Sequence, residues 1–206
     1  MQTRGTMKTG VILAGLIGLA GGWGAVAGEP EAAIPDLRET GERVAAALFG
    51  NLGGTLQEQI AKNGVEAAIP FCKAAALPIT AGTAGKFEGI QSVRRIGVRT
   101  RNPGNLPDAA DRAALEELLR EWSREAPQPT GRLLEVKTDA GETEVRYYRP
   151  IPLAATCLAC HGSAEQVPPP VLAAIRKAYP DDQAVDFREG DLRGAVVVTF
   201  KKPGAY

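Results

Sequence analysis

Residues 132–162, "RLLEVKTDAGETEVRYYRPIPLAATCLACHG", carry the reading of the fold. "RLLEVKT" and "TEVRYYRPI" are rich in β-branched and aromatic residues. They flank "DAGE", a short turn containing a glycine, and together read as a β-hairpin. The chain leaves the second strand through Pro152 and runs into Cys157-Leu158-Ala159-Cys160-His161. Outward from this unit, "LRETGERVAAALFGNLGGTLQEQI" spaces Val44, Leu48, Leu52, Leu56 and Ile60 four apart and reads as an amphipathic helix. Gly53 and Gly54 weaken that helix, and "KNGV" is expected to break it. A second helix carries Cys72 and is expected to end near Pro78. "GIQSVRRIGVR" reads as a strand with Val93 inward, and "TRNPGNLPD" as a turn whose Asn102 and Asn105 bond to backbone. That turn leads into a helix capped by Asp108 or Asp111. After the Cys-rich loop come the linker "VPPP", a short helix "VLAAIRKAYP" and a last strand "RGAVVVTFK". Few parallel crossovers arise from this order, so an α+β domain follows, an antiparallel sheet with helices packed on it.

Cys-x-x-Cys-His is the attachment pattern of a c-type haem. Each thiol adds across one vinyl group, and two intervening residues let one short helical turn reach both. The next residue, His161, is then aimed at the iron. A thioredoxin-like pair would open a helix in a βαβ unit, which is not evident here, and a zinc site needs further Cys or His. The chain has 3 cysteines and 1 histidine. No second CxxCH occurs, so one covalent haem is expected, held at Cys157 and Cys160.

The N-terminus agrees with that chemistry. "MQTRGTMKTG" is basic, "VILAGLIGLA" is apolar, and "AVA" precedes Gly28, as in a secretory signal cleaved after Ala27. An uncleaved anchor is the alternative. Covalent haem attachment in bacteria takes place outside the cytoplasmic membrane, so a periplasmic location follows. Residues 28–206 are then a single haem-bearing domain without stable membrane insertion. Its 22 Lys and Arg against 24 Asp and Glu leave a formal charge of −2. Such balance argues against nucleic acid or an anionic membrane surface as a partner.

The second axial position narrows by subtraction. His161 is the sole histidine, and the two methionines, Met1 and Met7, fall in the signal segment. Cys72, a lysine, a tyrosine, a backbone amine, water or an empty site remain. Cys72 is the leading candidate, because Ala68, Ala75 and Ala76 share its helical face and let a flat porphyrin approach. With Pro70 as the first helical residue, Cys72 falls in the first turn, where free amides and nearby Lys73 favour thiolate. The other reading is a small buried hydrophobe on an Ala-rich helix. Arg94, Arg95, Arg99 and Arg101 lie along one strand and turn. Arg95, Arg99 and Arg101 are candidate partners of haem propionates, or else a solvated face. Tyr147 and Tyr148 alternate across the hairpin strand, so one of them lines the core or the haem pocket, with core packing the plainer role.

The blocks "IPFCKAAA", "SVRRIGVRTRNPGNLPD", "YYRPIPLAATCLACHG" and "YPDDQAVDFREGDLRGAVVV" resemble, in matching order, an exported c-type haem-binding domain family with a PAS-like fold. That family has long been catalogued as a domain of unknown function. The resemblance implies a PAS-like antiparallel sheet and covalent haem with His161 as proximal and Cys72 as distal axial ligand. Members are described as redox or gas sensors, or as electron-transfer proteins, and some are fused to signalling domains. This chain ends soon after its last strand, so any sensing is expected to act through a partner protein.

A thiolate ligand stabilises ferric iron and lowers the potential. Its departure on reduction would open a site for CO or NO. Three functional classes follow: a redox- or gas-responsive protein, a low-potential soluble periplasmic electron carrier, and a haem enzyme such as a peroxidase or small-molecule reductase. The last is disfavoured, because a catalytic haem needs an open face and a distal acid/base group. No second histidine exists for that task, so the chain reads as a non-enzyme.

Overall fold

The first long helix, α1 (Leu37–Gly82), starts where Asp36 accepts hydrogen bonds from the amides of Arg38 (2.8 Å) and Glu39 (3.3 Å). A computed structural model of the chain describes residues 36–123 and 130–202. The expected signal segment, residues 1–27, lies outside the described residues. Helical geometry survives Gly53 and Gly54 and breaks at Gly64 (φ 82°, ψ 167°), inside the predicted "KNGV". That conformation is open to glycine at little cost. The second limb of α1 continues through Pro70 and past Pro78 to Gly82. Termination near Pro78 is therefore not observed: proline forfeits one helical hydrogen bond, and neighbouring packing carries the helix over the gap. Thr80, buried in the last turn of the helix, back-bonds its hydroxyl to Ala76 O at 2.7 Å.

The sheet has four antiparallel strands: β1 (Ile90–Gly97), β2 (Arg132–Lys137), β3 (Thr143–Pro152) and β4 (Leu192–Phe200), in the spatial order β1-β4-β3-β2. The predicted hairpin is β2–β3, with Arg132 opposite Tyr148 and Lys137 opposite Thr143. The last strand to be made enters the middle of the sheet, which explains its uninterrupted "AVVV" run: β4 is buried on both faces. On one face Val196, Val198 and Phe200 pack with Val93 and with Val44, Ala45 and Leu48 of α1. On the other, Ala195 and Val197 pack with α2 (Ala109–Glu121) through Ala114, Leu115 and Leu118. The chain is thus α+β, a PAS-like antiparallel sheet flanked by helices.

Both hairpin tyrosines belong to these cores. Tyr147 is 1% exposed on the α1 face, its hydroxyl bonded to Glu42, and Tyr148 is 0% exposed on the α2 face, bonded to Asp111 at 3.0 Å. The N-terminus of α2 is a capping box: Asp108 accepts from the Asp111 amide (2.8 Å) and Asp111 reaches back. Asp111 is fully buried, and it also receives Arg94 and Arg146, each at 2.8 Å. One carboxylate therefore fastens α2 to β1 and β3.

Candidate functional site

The Cys-x-x-Cys-His segment leaves β3 over a pinned junction. Leu153 N donates to Asp191 O (2.9 Å) and Gly190 N to Leu153 O (2.8 Å). After a turn of 3-10 helix the backbone forms α3 (Leu158–His161), with Cys157 at its N-cap and Gly162 at its C-cap. The single helical turn expected from the spacing is present. Its far end is held by two backbone bonds, Asp186 N to Gly162 O (3.1 Å) and Phe187 N to His161 O (3.0 Å). Cys157, Cys160 and Cys72 form no disulfide with one another.

His161 Nδ1 lies 2.9 Å from Ala184 O. A carbonyl only accepts, so Nδ1 carries the proton and Nε2 keeps its lone pair. Burial, helped by the charges of Arg101 and Arg193, lowers the His161 pKa to about 3. The ring is therefore neutral across physiological pH, and Phe187 meets it edge-on with centroids 6.2 Å apart.

Cys72 sits on the second limb of α1, with Ala68 and Ala76 buried on the same face, as the sequence indicated. Its expected place in a first turn is corrected. The limb starts after Gly64, so Pro70 and Cys72 are interior and no free amides surround the sulfur. Burial pushes the Cys72 thiol pKa up, while Arg95 and Arg101 pull it down. The positive charge near the sulfur thus comes from β1 and the turn after it. Lys73 points elsewhere, donating to Ala178 O at 2.7 Å. Ile69, three residues before Cys72, packs in a cluster that Cys160 joins, which brings this limb of α1 and the motif into one neighbourhood.

Arg95 projects from the α1 face of β1, its Nε 3.1 Å from Thr80 Oγ1. Arg101, 10% exposed, donates from Nε to Asp182 (3.0 Å) and from a terminal nitrogen to the carbonyls of Cys160 (2.5 Å) and Ala184 (3.3 Å). Arg99 lies past the end of β1 with its guanidinium 3.8 Å from the Phe187 centroid. All three candidate arginines therefore border the motif. Arg94 does not, being bound to Asp111 on the opposite face. Tyr147 and Tyr148 take the core role rather than the pocket role. Asn102 caps its turn through Gly104 N (2.9 Å), whereas Asn105 Oδ1 is buried and makes no hydrogen bond among the described residues.

Sequence reasoning missed Asp182, Ala184, Phe187 and Arg193, all in the tail "YPDDQAVDFREGDLRGA". Arg193 crosses β1 to donate to Arg99 O (2.6 Å), and burial and the neighbouring arginines lower its pKa to about 10. It can cross there because Gly97 and Gly194 face one another: a Cβ on Gly97 would stand 3.0 Å from the Arg193 guanidinium. That glycine pair was the signal available in the sequence.

The donor set fits a haem. A neutral imidazole offers a free Nε2, two thiols flank it at attachment spacing, and a third cysteine lies on a limb of α1 that packs near the motif. Arg95, Arg99, Arg101 and Arg193 supply partly buried positive charge for carboxylates, with Asp182 as the acidic partner of Arg101. A zinc centre fits poorly: among the described residues no three His, Cys, Asp or Glu side chains converge as a metal-binding group.

No curated protein matches the sequence. The crystal structure of the cyanobacterial haem protein Tll0287 is 30% identical, with a TM-score of 0.51, over 78% of this chain and 89% of that one. A family model for Tll0287-like domains matches residues 35–201. By the extent of that match, the chain belongs to the Tll0287-like family.

Proposed function

We propose that the chain is an exported, periplasmic cytochrome that carries one haem c on Cys157 and Cys160, with His161 and Cys72 as axial ligands. It works as a redox- or small-gas-responsive protein and passes its state to a protein partner. The carrying observation is that the helical limb bearing Cys72 meets the motif, Ile69 packing in a cluster that Cys160 joins; Arg95 and Arg101 act to lower the Cys72 pKa, against a burial that raises it overall. The haem protein Tll0287 in the same family supports haem as the group bound. Arg95, Arg99 and Arg101 are the propionate partners in this reading.

The bound haem supplies a one-electron couple, and the protein sets its ligands. Cys72 as thiolate favours the ferric state. With haem bound, Cys72 would help hold the group as a thiolate; after one-electron reduction by a redox partner, Cys72 Sγ would take a proton from solvent, and CO or NO could bind in its place. His161 stays, because Ala184 O holds its tautomer.

The deciding experiment compares ferric and ferrous spectra of the holoprotein with those of Cys72→Ala. Loss of the thiolate-ligated low-spin ferric spectrum in the variant, with CO binding to the reduced wild type, supports the proposal. An unchanged ferric spectrum refutes Cys72 ligation. Ferrous protein that keeps both ligands and refuses CO is an electron carrier instead. Haem that extracts into acidified acetone refutes covalent attachment.

A further inference from the structure

Leu119, in the last turn of α2, is left 42% exposed although Leu118 beside it is buried. It lines an open cleft of about 570 Å³, a volume within the range of small-molecule sites. Trp122, Phe187 and Leu192 form further walls, and Arg99 and Asp191 supply one charge of each sign. Both aromatic rings are held in place. Trp122 Nε1 donates to Gly190 O at 2.8 Å. Phe187 is fixed by its amide bond to His161 O (3.0 Å) and by the Arg99 guanidinium over its ring. Leu192 and Trp122 also pack in the α2-face core, so the cleft lies on that side of the sheet, while Cys72 is carried by α1. The two charges are not equally available. Asp191 already accepts from the Arg188 amide at 2.8 Å. Arg99 has five N–H donors, and its one side-chain hydrogen bond among the described residues is to Asp186 O at 3.5 Å. A guanidinium with donors to spare beside two aromatic rings suits an acid with a flat apolar body.

We propose that this cleft is a second binding site, for a small aromatic carboxylate, which sets its ring against Trp122 and Phe187 and its carboxylate on Arg99. The haem group and the cleft can share Arg99, because a guanidinium offers donors along more than one edge. Asp191 opposes the ligand's charge, so the affinity is expected to be modest. Phe187 is shared as well: its ring is a wall of the cleft and meets His161 edge-on, with centroids 6.2 Å apart. An occupied cleft therefore presses on a side chain that meets the proposed axial histidine, and this gives the redox-responsive reading a small-molecule input. Only that coupling rests on the reading above; occupancy of the cleft does not.

Calorimetric titration of the haem-loaded protein with cinnamate and with cinnamamide tests the site, since the two share a shape and differ in charge. Cinnamate binds at millimolar concentration or below, and cinnamamide roughly ten-fold more weakly or worse. The Trp122 indole N–H resonance moves over the same titration. Arg99→Gln weakens cinnamate binding roughly ten-fold or more. Leu119→Glu and Leu119→Gln make the same test of charge without touching a candidate partner of the haem: the acidic variant binds cinnamate more weakly than the neutral one. No heat from cinnamate, equal binding of acid and amide, a Trp122 resonance that stays put, or a Leu119→Glu protein that matches Leu119→Gln overturns the proposal. Binding that moves Trp122 but leaves the ferric EPR g-values unchanged overturns the coupling to His161 alone. A ferric spectrum independent of Cys72 overturns the ligation proposed above and leaves the cleft standing.

Discussion

His161 Nδ1 is bound to the carbonyl of Ala184, and that residue's amide is itself held by a carboxylate two residues upstream. Asp182 Oδ1 accepts from Ala184 N at 2.8 Å, and Asp182 Oδ2 accepts from Arg101 Nε at 3.0 Å. One side chain thus positions the histidine's partner and neutralises the cation beside the motif. Arg101 and Asp182 are 10% and 7% exposed, so removing one partner strands a buried charge. Asp182→Ala is expected to destabilise the protein by roughly 3–5 kcal/mol. Asp182→Asn, which can still accept from Ala184 N, should cost less. Chemical denaturation of the two variants measures the difference. A broadened set of ferric EPR g-values in Asp182→Ala alone would report that the histidine has lost its fixed orientation.

A second carboxylate does comparable work far from the site. Asp111 is fully buried and receives Arg146, Arg94 and the Tyr148 hydroxyl. Asp111→Ala leaves two guanidinium groups and a phenol short of an acceptor and should cost about 3–5 kcal/mol. Tyr148→Phe removes one neutral donor from the same carboxylate and should cost about 1 kcal/mol. Urea titration of both variants checks the order. A loss in Asp111→Ala no larger than in Tyr148→Phe would mean that the cluster does not tie α2 to the sheet.

The elements were legible because their signals are local. The hairpin at residues 132–152, the break in "KNGV" and the cap at Asp108 each follow from a few adjacent residues. The CxxCH turn is likewise written in five. The site's remainder was hidden because it is assembled across the sheet. Arg193 reads as part of a turn until β4 is known to lie beside β1, which brings its side chain over Gly97. Ala184 contributes a carbonyl, and no residue identity announces a carbonyl. The misplacement of Cys72 has the same root: Pro70 is a good helix starter locally, yet the helix had already begun after Gly64.

Glycines at two places should respond in opposite directions. Gly194 has φ 156°, and a Cβ there would collide with the Ile96 carbonyl, so Gly194→Ala forces β1 away from β4. A destabilisation above about 3 kcal/mol is expected, comparable to the larger effects of backbone strain. Gly53 lies in helical α1 with nothing within 4 Å of where a methyl would stand, so Gly53→Ala should stabilise by about 1 kcal/mol. Thermal melts of both variants decide it. A neutral Gly194→Ala would show that the strand pair relaxes without difficulty.

Acid sensitivity should come partly from Asp108. Burial tends to raise its pKa, but the Asp111 amide and Arg146 outweigh that and hold the carboxyl below its usual value. The folded state therefore binds this proton less readily than the unfolded chain does. Its stabilising contribution is complete above the unfolded pKa of about 3.9 and disappears as pH falls through the lower folded value. Asp108→Asn keeps an oxygen acceptor for the helix amide but cannot titrate. Across pH 5 to 2 the variant's melting temperature should fall less steeply than that of the wild type. Parallel curves would show that the acid response arises elsewhere, since Asp108 is the residue whose titration the substitution removes.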